Sequence, residues 1–152
     1  MVLKRKFSLK IMGIILLIGI IFVAYSIYQS RPQHVIESRL NIELPAASKI
    51  MKYDYYSNDI HFQTKISIEE QSIDYMKKQL DNFFGGVTSE ENINEMPSFK
   101  NTASWWDMDN DNIEAAYMNY VDVKKWRKIM PRRVWAFISK DKGDKYYLYI
   151  SY

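Results

Sequence analysis

The sequence predicts an α+β protein: an N-terminal transmembrane helix, then one domain with a single amphipathic helix packed on a five- or six-stranded, mainly antiparallel sheet. Three observations carry this expectation. Residues 11–30 are twenty consecutive residues without a charge. Residues 60–68 alternate between apolar and polar. Ile73, Met76, Leu80 and Phe83 or Phe84 recur at helical spacing and stop at Gly85-Gly86.

The uncharged run comes first. Its twenty residues, dominated by Ile, Leu, Val and Phe, make a helix about 30 Å long, the thickness of a bilayer's hydrocarbon core. It is apolar on every face, which sets it apart from a half-buried surface helix. A basic leader over residues 1–10 (Lys4, Arg5, Lys6 and Lys10) precedes it, and Tyr25 and Tyr28 lie at its far end, where amphipathic rings favour the headgroup region. This pattern predicts a single-pass signal anchor over residues 11–30, with a cytoplasmic N-terminus and an extracytoplasmic remainder. The competing expectation is a cleaved signal peptide: Ala24-Tyr25-Ser26 has the small-x-small form that signal peptidase reads, and cleavage near Ser26 would release the rest as a secreted protein. The run is longer than an ordinary signal core, which favours the anchor. Gly13 and Gly19 are six apart and do not form a four-residue helix-pairing motif.

Residues 31–43 read as a linker or short amphipathic segment, with Pro32 preventing the first helix from continuing. Leu44-Pro45-Ala46-Ala47 then opens a domain over residues 44–152, a length that sustains its own core. Residues 48–56 and the alternating run 60–68 form an expected hairpin around Ser57-Asn58-Asp59. Ser67 and Glu70 have the spacing of a capping box, so the helix is expected over 68–84. Residues 87–100 read as a polar, acidic loop. Residues 104–108 and 113–121 are expected as strands joined by a turn at 109–112. Residues 124–133, interrupted by Pro131, read as basic and irregular. Residues 132–140 and 145–152 form a last hairpin around Asp141-Lys142-Gly143-Asp144.

Composition excludes several chemistries. The chain has no cysteine, so disulfides, thiolate metal sites, thiol nucleophiles and a lipidated N-terminal cysteine are all ruled out. The formal charge of +3 comes from the leader; beyond it seventeen bases face eighteen acids, so net charge gives no argument for nucleic acid. Topology also places the domain on the wrong side of the membrane for that partner. No phosphate-binding loop is present, since Gly85-Gly86 ends a helix where such a loop would begin one. Asp107, Asp109 and Asp111 alternate like the opening of a calcium loop, but Asn112 stands where glycine is needed and Met118 where a bidentate glutamate is needed. His61 is the one histidine in the domain and falls on the polar side of its strand. No cofactor or metal is implied, and no catalytic residue is assigned. An enzyme using Asp107, Asp109, Asp111 and Glu114 is the remaining catalytic alternative.

Charge distribution says more than net charge. Residues 81–114 hold eight acids and one base, whereas residues 123–152 hold nine bases and two acids. The two stretches either neutralise each other within the fold or leave Lys124, Lys125, Trp126, Arg127, Lys128, Arg132 and Arg133 as a patch for an anionic lipid surface, envelope polymer or acidic protein. Four Trp, ten Tyr and five Phe lie beyond residue 30. Trp135 and Phe137 share one face of their strand, Tyr147 and Tyr149 one face of theirs, and a single helix covers one side of a sheet only. The second side is therefore covered by a loop, buried between copies, or open for recognition. Together these features lead to the expectation of a membrane-anchored extracytoplasmic binding module, a class that includes inhibitor and immunity-type proteins. A non-catalytic subunit of a larger membrane complex is the alternative. The lack of any Asn-x-Ser/Thr sequon after residue 30 agrees with a bacterial source.

Overall fold

A computed structural model of the chain describes residues 2–56, 61–86, 103–108, 110–125 and 128–152, with the backbone alone for residues 2–11, 110, 124, 125 and 128. It divides into Met1–Arg39 and Leu40–Tyr152.

In the first unit one helix, α1, covers Val2–Gln29 and is long and apolar enough over Met12–Gln29 to cross a membrane. A permanent anchor and a signal sequence share that length and composition. The chain turns through Ser30 and Arg31, and Pro32 opens a second helix, α2 (Pro32–Leu40). Proline suits the first position of a helix, where its missing N–H would have no intrahelical partner. The turn is held by a 2.6 Å hydrogen bond between His34 Nε2 and Gln29 Oε1, with the His34 ring 4.8 Å from that of Tyr28. Asn41, with φ 48°, takes the left-handed conformation that ends α2. The segment read as a linker thus contains an ordered helix.

The second unit is one open sheet of five strands with a helix between its halves. Strands β1 (Lys49–Tyr56) and β2 (His61–Ile68) precede helix α3 (Ile73–Phe84), which is followed by β3 (Ile113–Lys125), β4 (Lys128–Lys140) and β5 (Tyr146–Ser151). Every pairing is antiparallel and the order is β1-β2-β5-β4-β3, so the last strand lies beside β2 in the middle of the sheet. Backbone bonds between Phe62 and Tyr152 extend this central seam, and their rings stack 5.2 Å apart. At the β1 edge a bulge between Ile50 and Lys52 breaks the ladder, one of the devices that stop edge-to-edge association.

Alternation divides the sheet's side chains into two layers. Phe62 and Ile66 of β2, Tyr117 of β3, Val134, Ala136 and Ile138 of β4, and Leu148 and Ile150 of β5 share one face and are buried. In α3, Ile73, Met76, Leu80 and Phe84 are buried, and the Phe84 ring lies 5.7 Å from that of Tyr117. Gly85 ends the helix as its spacing predicts: φ is 80°, and its N–H donates to Asp81 O at 2.8 Å.

Three expectations are corrected. The capping box does not form, because Ser67 and Ile68 stay in β2, paired with Tyr147 and Tyr146; a 3-10 turn at Glu70–Ser72 intervenes before α3 starts at Ile73. Residues 104–108 are not a strand but cross over the sheet. The basic segment 124–133 is not irregular, because β3 runs to Lys125 and β4 starts at Lys128. Pro131 is tolerated inside β4 opposite Asp122, since β5 pairs no further down β4 than Trp135 and leaves that edge without a ladder to break. The expected turn at 57–59 and loop at 87–100 lie outside the described residues.

Candidate functional site

Two features emerge where the sheet's strands differ in length. Strand β4 has thirteen residues and β5 has six, so β5 covers only the second half of β4. Beyond that cover, six residue pairs from Tyr120↔Arg133 to Lys125↔Lys128 continue as a two-stranded arm. At roughly 3.3 Å per residue the arm extends about 20 Å past the five-stranded body.

The arm's sequence holds six bases and one acid between Tyr120 and Arg133. Ile129 is 68% exposed and Met130 44%, and as neighbours in a strand they stand on opposite faces. On the face of Ile129, Tyr120, Pro131 and Arg133 are also exposed. Arg133 donates to the Tyr120 hydroxyl from Nε at 3.1 Å and Nη2 at 2.7 Å, which stiffens the base of the arm without using the guanidinium's charge. Val123 is buried and Arg132 half-buried. Lys124 and Lys125 end β3 and Lys128 begins β4, while Trp126 and Arg127 between them lie outside the described residues. Sequence reasoning placed the basic residues together. It missed Tyr120, Ile129 and Met130; the adjacent apolar pair Ile129-Met130 interrupting the basic run was the available signal.

The described ion pairs that use acids of the 81–114 stretch take their bases from elsewhere. Lys65 Nζ lies 2.7 Å from Asp107, and Lys77 Nζ lies 3.6 Å from Glu114. Among the described residues, no ion pair joins that stretch to Arg132 or Arg133.

The second feature is the sheet's other face. The pairing Phe137↔Tyr149 puts Trp135, Phe137, Tyr147 and Tyr149 on one side. Residues 103–108 lie over it as a strap. Ala103, Trp106 and Met108 are buried with Ala116, Trp135, Phe137 and Tyr149; Trp106 is 5.2 Å from Tyr149 and edge-on to Phe137 at 6.4 Å. Two polar clamps hold the strap. Trp105 Nε1 donates to Asp54 Oδ2 of β1 at 2.6 Å. Asp107 accepts from Lys65 Nζ at 2.7 and 2.8 Å and from the Tyr149 hydroxyl at 2.7 Å. Lys65 also sits 4.3 Å from the centre of the Tyr147 ring.

These contacts set the protonation states. Partial desolvation pushes the Asp107 carboxyl up, but the hydrogen bonds from Lys65 and Tyr149 and the Lys65 charge outweigh it and hold it below its ordinary value. Burial, then the Asp107 carboxylate, pushes the Tyr149 phenol up. On the opposite face burial raises Tyr117 to about 12, with the Asp81 charge adding to it; its hydroxyl finds no partner among the described residues.

Of the aromatic candidates, Trp135, Phe137 and Tyr149 are therefore core residues beneath the strap, and Tyr147 is half-buried at its edge. That burial removes three of the four as a contact surface. Asp107 is engaged with Lys65 and Tyr149, Asp109 lies outside the described residues, and His61 rests 5.5 Å from the Tyr56 ring. Among the described residues no group of three or more His, Cys, Asp or Glu is placed to hold a metal ion. No protein family, curated protein or solved structure matches this chain.

Proposed function

We propose that this chain is a membrane-anchored extracytoplasmic binding module. Helix α1 is its single-pass tether, with a cytoplasmic N-terminus, and the β3–β4 arm engages an anionic partner. The arm is the observation that carries the reading. The ribbon continues past the end of β5 and, although Val123 on it is buried, it concentrates the bases of the C-terminal half and exposes Ile129, Met130 and Tyr120. Exposed apolar side chains set among like charges are a surface arrangement suited to a partner rather than to solvent. Tethering raises the effective concentration of such a surface near anything else at the membrane, so modest affinity suffices.

The test is a photo-crosslinking residue at Ile129 in the full chain, expressed in its native cell, with the same residue at Lys142 in the exposed β4–β5 turn as control. The reading expects adducts at 129 that exceed those at 142 and fall when Lys124, Lys125 and Lys128 are changed to Glu. Equal labelling at both positions, unmoved by charge reversal, contradicts it.

A further inference from the structure

We infer that one face of the arm docks an acidic protein surface, with Arg133 as the group that receives a carboxylate of the partner. This rests on the reading of the arm as the binding element and gives that element a partner and a point of contact.

The two faces of the arm differ. Across the pairs Val121↔Arg132 and Val123↔Met130, Val123 is buried, Val121 and Arg132 are half-buried, and Met130 alone is exposed. The chain itself largely closes that face. Across the pairs Tyr120↔Arg133 and Asp122↔Pro131 every residue is exposed, and Ile129 continues the same face. A protein surface meets a ribbon on one side, and this is the side left open for it.

Arg133 is the cation on that face whose position is fixed. Its Nε and Nη2 donate to the Tyr120 hydroxyl, and its Cζ lies 5.4 Å from the centre of the Tyr120 ring and 6.0 Å from that of Trp135. A neutral hydroxyl orients the guanidinium without cancelling its charge, and among the described residues no carboxylate forms an ion pair with it. The N–H groups of its outer edge, on Nη1 and Nη2, remain as a planar fork that matches the oxygens of a carboxylate. Because Tyr120 and Trp135 already restrict the side chain, little rotamer freedom is lost when a partner arrives.

The apolar neighbours favour a protein over other polyanions. Tyr120, Ile129 and Pro131 share the face of Arg133 and are exposed. A hydrophilic anionic polymer gives them nothing to pack against, whereas protein interfaces set apolar contacts beside hydrogen-bonded charges. Asp122, one pair further along the same face, repels an incoming carboxylate and so holds the affinity down.

The test places the photo-crosslinking residue at Ile129 of the full chain in its native cell, with Lys142 as the control position, and compares Arg133→Gln, Arg133→Lys and Asp122→Asn. Docking of an acidic protein gives protease-sensitive adducts whose mapped attachment site lies beside an Asp or Glu of the partner. Their yield falls about tenfold on Arg133→Gln, the size expected when a charge-assisted hydrogen-bonded pair is lost. It falls less on Arg133→Lys and rises on Asp122→Asn. Exchanging the charges, with Arg133→Glu in this chain and a lysine introduced at the partner's acidic position, restores it. Arg133 is exposed, so these variants are expected to keep the parent's urea midpoint in micelles. Protease-resistant adducts, to lipid or to an envelope polymer, overturn the partner and leave the arm reading standing. A yield that Arg133→Gln leaves unchanged, or that the charge exchange fails to restore, overturns the carboxylate contact in the same way. Labelling at 129 no greater than at 142 removes the arm reading and this inference together.

Discussion

Strand β4 lives in two environments. From Val134 to Ser139 every residue is buried, because β3 and β5 flank it, Tyr117 and its neighbours share its layer on one face, and the strap closes the other. A few residues earlier in the same strand, past the end of β5, Ile129, Met130, Pro131 and Arg133 are exposed, while Arg132 is half-buried and Val123, opposite Met130, is buried. Both halves carry large apolar residues, and the bases Lys128, Arg132 and Arg133 fall in the first. What separates their apolar residues is the cover the rest of the chain supplies, since β5 pairs with β4 only from Trp135 onward. Stability is therefore expected to reside in the covered half and partner binding in the uncovered one.

Substitutions that open the covered half have the largest effects. Phe137→Ala and Trp106→Ala each remove a large ring from the strap layer and are expected to lower unfolding free energy by about 3–5 kcal/mol, measured by urea denaturation of the full chain in micelles. A loss below about 1 kcal/mol for Trp106→Ala would mean that the strap is a loose cover rather than part of the core.

The clamp sharpens the comparison at intermediate size. Asp107→Ala strands an ammonium whose side chain is only 14% exposed and is expected to cost about 1–3 kcal/mol. Lys65→Met should cost less, because the Asp107 side chain left behind is 62% exposed and water satisfies it. The folded-state value of Asp107 lies below the ordinary carboxylate value of about 3.9, so its contribution is complete above that pH and disappears as pH falls through the folded value. Acid titration followed by tryptophan fluorescence should show a step that Asp107→Ala removes.

Tyr117 tests the opposite face with the opposite sign. Its hydroxyl is buried without a described partner, so Tyr117→Phe is expected to stabilise the protein by about 1 kcal/mol. With the phenol raised to about 12, its protonated form is favoured in the fold. Stability from this source is complete below about pH 10 and is lost as pH rises toward 12, a loss that Tyr117→Phe should reduce. The smallest stability effect belongs to the arm: Ile129→Ser and Met130→Ser should change unfolding free energy by less than about 0.5 kcal/mol while reducing crosslinking at the tip.

The parts legible in the sequence are those fixed by local rules. The apolar run gives α1, alternation gives β2, Gly85 ends α3, and Asp141-Lys142-Gly143-Asp144 forms the expected turn, with the Asp141 carboxylate accepting from the Gly143 and Lys145 amides at 2.8 and 2.9 Å. The missed parts depend on what lies alongside. Pro131 looks like a breaker until β5 proves too short to need its N–H. Trp105-Trp106 looks like a strand until the second face of the sheet needs a cover. Ser67 looks like a helix cap until β5 claims it as a strand partner. The basic cluster was readable as composition, but its separation from Trp135, Phe137 and Tyr149 follows from strand lengths that no local pattern encodes.

The central claim is that the two halves of β4 differ in cover, and hydrogen exchange of the full chain in micelles tests it most directly. The account predicts slow exchange over 134–139, where β4 is flanked by β3 and β5, and faster exchange over 128–133, where β3 alone pairs with it. Equal protection of 128–133 and 134–139 would contradict it.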